Sequence, residues 1–125
     1  MVSAIKASSG FTLIELIVII AILGILSAVA IPKLFNINTD AQTSATEGVA
    51  GALSTANAEN YAVRVENNTK GQSVGNCTDI GNILQGGLPS GYSITATSAA
   101  IGNITTCTVN GPNASTAVFN ATGIN

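Results

Sequence analysis

Histidine and tryptophan are absent from this sequence, and its 125 residues include only four Lys or Arg and six Asp or Glu. Without histidine, neither a Ser-His-Asp nor a Cys-His nucleophile can be built. Zinc is disfavoured as well, because the two cysteines, Cys77 and Cys107, form no CxxC pair. A net charge of −2 with no basic stripe argues against a direct nucleic-acid site. Aromatic residues make up 4% of the chain, too few for a continuous electron-conducting stack. Away from the N-terminus, Asp40, Glu47, Glu59, Glu66 and Asp79 show neither paired nor ligand-like spacing and read as a solvated face. The glycine-rich QGGLPSGY (85–92) lacks the Lys-Ser/Thr of a phosphate loop and reads as a turn. The expectation is therefore no enzyme, no cofactor and no metal.

What charge there is avoids one long block. Phe11 to Ile31 is 21 residues with Glu15 as its single charge, and as a helix it would extend ~31 Å, close to the hydrocarbon thickness of a bilayer. Pro32 follows, and should kink the helix or end it. Three readings fit such a run. A secretory signal peptide would use Ala28-Val29-Ala30 as its A-x-A cleavage site. A signal anchor would simply hold a small exported domain. The third is a helix that serves first in the membrane and then inside a polymer. Only the last has a use for Glu15, since a charge in mid-bilayer costs roughly 2.5–3.5 kcal/mol or more. Cleavage between Gly10 and Phe11 would create an ammonium four residues from Glu15. In a helical stack, the carboxylate of one subunit would neutralise the ammonium of its neighbour and set their axial register.

Beyond Pro32, KLFNINTDAQTSATEGVAGALSTANAENYAVRVE reads as helical, with Ala41, Ala45, Val49, Leu53 and Ala56 forming one narrow apolar stripe. Thr39 or Asp40 would cap this half if it were separate; a continuous helix fits equally well. Gly48 and Gly51 lie beside the stripe and suit close approach of a sheet. Residues 67–76 read as a loop, CTDIGNILQGG as a helical turn or two, and 92–98, 104–110 and 116–121 as short strands of an antiparallel meander. Tyr92, Ile94, Val109, Val118 and Phe119 are the expected packing residues. In an exported chain the even cysteine pair reads as one disulfide, worth ~3–4 kcal/mol on the loop-entropy view. In a cytosolic one it would be two buried thiols.

The stretch GFTLIELIVIIAILGILSAVAIPKL (10–34) closely resembles the N-terminus of the type IV pilin family and its prepilin-like relatives. The resemblance rests on the Gly-Phe junction, the Thr-Leu-Ile-Glu directly after it, the uncharged run, Gly24, and Pro32 followed by a basic residue. TEGVAGALSTAN is loosely similar to pilins of the mannose-sensitive haemagglutinin type. The implied fold is α+β: a long, kinked N-terminal helix packed on a small antiparallel sheet head. Implied segments are a leader at 1–10, a transmembrane and filament-core helix half at 11–34, and a head at 35–125. The head would divide into an amphipathic helix half (35–66), a loop with a short helix (67–90) and strands (91–125).

The resemblance further implies that a prepilin peptidase cuts after Gly10 and that Phe11 is then N-methylated. Glu15 would be the assembly glutamate, Gly24 and Pro32 would bracket a stretch that loses helical bonding in the pilus, and Cys77 and Cys107 would be the head's disulfide. Its implied partners are membrane lipid before assembly, an inner-membrane assembly platform and further copies of the same chain in a helical filament. Its implied course is from a single-pass state in the bacterial inner membrane to an extracellular pilus for adhesion, motility or DNA uptake. One departure is that Lys6 stands four positions from Gly10, where such leaders place basic residues closer. The readings set against it are a type II secretion pseudopilin, and an anchored or secreted disulfide-containing binding domain.

Overall fold

The computed structural model describes residues 9–125. Residues 1–8, most of the expected leader with its Lys6, lie outside the described residues. One long helix, α1 (Leu13–Glu66), is followed by a 3-10 turn (Cys77–Asp79), a short α2 (Ile80–Ile83), and strands β1 (Ser93–Ile94), β2 (Ile104–Asn110) and β3 (Thr116–Thr122). This is the expected α+β order of a long helix and then a small sheet. Contacts divide the chain into two units, Met1–Ile37 and Asn38–Asn125.

In the first unit, α1 passes through Pro32 rather than ending there. Proline has no N–H to give, so the carbonyl of Ala28 loses its helical donor. Every large apolar side chain from Phe11 to Ile37 is exposed, from 42% at Ile19 to 81% at Phe11.

In the second unit, α1 needs no new start, and Thr39 and Asp40 lie inside it rather than capping it. The helix stops where Asn67 turns the chain. The Asn67 amide closes the last turn on Val63 O (2.9 Å), while its side-chain Oδ1 accepts from Thr69 N and Oγ1. Arg64, in that last turn, donates to the carbonyls of Lys70 and Gly71.

The sheet has the order β1-β2-β3, antiparallel throughout, with Thr105 opposite Ala121, Cys107 opposite Phe119 and Val109 opposite Ala117. Of these, Cys107, Val109, Phe119 and Ala121 meet Ala50 and Leu53 of α1 and Val74, Cys77, Ile80 and Ala99 of the connecting segments to form the core. Cys77 and Cys107 are disulfide-bonded, with Cα atoms 5.7 Å apart and no exposure of either residue. β1 is much shorter than the expected 92–98. After Thr95 N bonds Thr108 O (3.0 Å), the chain changes partner: Cys77 N bonds Thr97 O (2.8 Å) and Ala99 N bonds Gly75 O (2.9 Å).

Two packing expectations are corrected. Val118 points outward and is exposed, because it precedes the buried Phe119 and adjacent strand residues face opposite sides. Tyr92 and Ile94 are half-buried, whereas Val109 is fully buried. The buried stripe of α1 is Thr46, Ala50, Leu53, Asn57 and Asn60. Of the expected stripe only Leu53 is fully buried; Val49 and Ala56 are half-buried and Ala41 and Ala45 are exposed. The helix is turned by about one residue because polar side chains hold it. Thr46 Oγ1 shares a hydrogen bond with Ser115 Oγ (2.7 Å), Asn57 Oδ1 accepts from Thr122 N (3.2 Å), and Asn60 both donates to Gln72 O and accepts from Gln72 N (2.8 Å each). Close approach falls at Gly123, against the backbone of Ala99 and Ala100, and at Gly111, rather than at Gly48 or Gly51, which have open space around them. A Cβ on Gly111 would lie 2.7 Å from Ser115 Oγ and 2.9 Å from the Tyr92 ring.

Candidate functional site

The residues singled out at the N-terminus sit together. Ser9 to Thr12 have non-helical backbone and are exposed, so the Gly10–Phe11 peptide stands in open chain immediately ahead of α1, with no backbone hydrogen bond to any of the described residues. Ala28-Val29-Ala30, the other cleavage site weighed, is inside α1 rather than in open chain. Gly10 has nothing within 4 Å of where a Cβ would be.

Helix formation begins at Thr12, whose carbonyl accepts the first intrahelical bond from Leu16 N (3.3 Å). Thr12 Oγ1 accepts from Glu15 N (3.3 Å), and Glu15 Oε2 accepts in return from Thr12 N (3.4 Å) and Thr12 Oγ1 (3.2 Å). This is a reciprocal capping box, and it satisfies two of the amide groups that a helix start leaves orphaned. It also puts a carboxylate at the positive end of the helix dipole. This internal role comes in addition to the pairing with a neighbouring subunit expected of Glu15, and its sequence signal is the spacing Thr12-x-x-Glu15 before an apolar run. Ser9, Gly10, Phe11 and Glu15 line a shallow recess of about 300 Å³ around the junction.

Past the box, α1 is long and apolar enough to cross a membrane, with a mean hydropathy of 2.9 over its best 18-residue window and none of that window buried. Gly24 and Pro32 both lie within α1. Among the described residues, no three His, Cys, Asp or Glu side chains gather where they could hold a metal.

The family model described as the prokaryotic N-terminal methylation motif matches residues 5–31. That span contains the Gly10–Phe11 junction, Glu15 and the whole apolar run from Phe11 to Ile31. The chain carries a prokaryotic N-terminal methylation motif. Two fimbrial proteins of Pseudomonas aeruginosa are each 45% identical to it over 51 residues, which is 41% of this chain and 33% of theirs. The match thus spans about a third of the length of these curated relatives. Neither similarity singles out the mannose-sensitive haemagglutinin type. No solved structure matches the chain significantly. Its pilin-like features are the prepilin motif, the apolar N-terminal helix, the small antiparallel sheet and the disulfide.

Proposed function

We propose that this chain is the major structural subunit of a type IV pilus, stored in the bacterial inner membrane as a precursor and polymerised into an extracellular filament. One observation supports this reading above the others: a wholly exposed apolar helix begins with a carboxylate directly after an open Gly-Phe junction. A capping box would serve any helix start; what suits a polymer is that this carboxylate stands four residues from the terminus that cleavage after Gly10 would create. Prepilin peptidase cuts after Gly10 and methylates the new terminus at Phe11. Lipid covers the helix first; the same side chains of neighbouring copies replace it in the filament, each gaining about 1.5–3 kcal/mol relative to exposure in water. Glu15 leaves its internal box in part to meet the ammonium of an adjacent Phe11, which sets the axial offset between subunits. Gly24 and Pro32 mark the stretch that gives up helical bonds on assembly, since neither supports a helix interior well. The segment 35–125 coats the outside, where the pilus serves adhesion, motility or DNA uptake.

The test is the intact mass and N-terminal sequence of the chain in filaments sheared from cells. A chain that starts at Phe11 with one added methyl supports the proposal. Correct processing without any chain in the sheared fraction would favour a type II secretion pseudopilin. An unprocessed chain confined to membranes, or one starting at Ile31, would leave an anchored or secreted binding domain.

A further inference from the structure

β3 presents an open edge. Its register with β2, continued by the Gly111 N to Ser115 O bond (2.8 Å), assigns the inward-bonding positions to Ala117, Phe119 and Ala121. The backbone groups of Thr116, Val118, Asn120 and Thr122 therefore face away from β2. Thr122 N is taken up by Asn57, but among the described residues the outward N–H and C=O groups of Thr116, Val118 and Asn120 have no partner. The opposite side of the sheet is treated differently, since β1 has only two residues and the following segment bonds to residues 75–77. Proteins that stay monomeric blunt long edges with charge, proline, bulges or cover. From Thr116 to Asn120 β3 has none of these: TAVFNAT contains no charged residue and no proline, all seven residues pair without a bulge, and the one outward group that is taken up is Thr122 N. Beside the edge runs a groove of about 510 Å³ floored by Ala50, Gly51 and Ser54, with Glu47 as its one charge.

We propose that β3 is the edge through which two copies of this chain pair, strand to antiparallel strand, about a two-fold axis at Val118. The strand is self-complementary in that register. Val118 meets Val118 of the second copy, and Thr116 meets Asn120, so apolar faces apolar and hydroxyl faces amide, with no like charges opposed. Those same positions carry the outward backbone groups, so each pairing is of the hydrogen-bonded kind. Gly51 and Ala50 leave the flanking surface low enough for the second copy's α1 to lie alongside. Subunits of one helical filament are related head to tail, and a two-fold contact cannot recur along it. Where the pilus reading holds, on which this part rests, the contact joins heads of different filaments and bundles them.

Val118→Cys in the full chain tests this. A hydrogen-bonded antiparallel pair sets Cα atoms about 5.5 Å apart, inside the disulfide range. Val118 is 66% exposed, so the variant leaves the core intact. Under oxidising conditions, Val118→Cys is expected to shift to twice the monomer mass on non-reducing gels, whereas Thr106→Cys, exposed on the outer face of β2, stays monomeric. Equal dimer in both variants, or in neither, overturns the proposal. The two readings fail separately: dimers in membranes without Phe11-processed filaments sink the pilus reading alone. Processed filaments with a monomeric Val118→Cys sink the edge contact alone.

Discussion

The carboxylate of Glu15 is held by Thr12 of its own chain, so any partner in a neighbouring subunit must compete with that box. Thr12→Ala removes one half of the box and should cost about 1 kcal/mol of helix-start stability. Hydrogen exchange at Leu13 to Leu16 in detergent would then quicken roughly five-fold, and an unchanged rate would show that the box carries no weight. Glu15→Gln keeps an acceptor for Thr12 but loses the charge. It should leave exchange nearly unaltered and abolish filaments, as judged by the sheared fraction. Gly111 is constrained by space rather than by backbone angle, so Gly111→Ala should destabilise the second unit by about 1–3 kcal/mol in thermal unfolding. Ala114 is strained in the other sense. Its φ of 58° falls in the left-handed region, and Ala114→Gly should raise stability by about 1 kcal/mol at most.

Elements were legible in the sequence to different depths. β2 was readable to the residue, because turn residues flank Ile104–Asn110 on both sides, Gly102-Asn103 before it and Gly111–Ala114 after it. β1 was not, because its shortness comes from a distant rival: the 75–77 segment takes over the backbone groups of Thr97 and Ala99. The helix stripe misled for a related reason. Hydrophobic spacing points to Ala41 and Ala45, yet Thr46, Asn57 and Asn60 have specific hydrogen-bond partners in the head, and their satisfaction decides which face turns inward. The register makes a sharp prediction. Asn57→Ala leaves the Thr122 N–H unpaired and should cost about 1–3 kcal/mol. Ala45→Ser, on the surface, should change stability by no more than about 0.5 kcal/mol. Equal effects in urea unfolding would refute the polar seam. At the N-terminus the Gly-Phe junction and the carboxylate ahead of an apolar run are local patterns that the sequence displays directly, whereas the Thr12–Glu15 box is a feature of the structure.

For the molecule as a whole, the second unit has a core of only ten buried apolar or sulfur-bearing residues, three of them alanine, with the disulfide among them. Such a core depends on its crosslink. Replacing both cysteines by serine should lower stability by about 2–5 kcal/mol, read from the urea midpoint. Cys77 and Cys107 have no exposure, and thiol exchange requires an attacking thiolate to reach a sulfur. Once closed, the bond is beyond the reach of a reductant unless the head opens. The sulfur pair thus keeps a memory: its state in any isolated subunit tells in which compartment, reducing or oxidising, that head last closed.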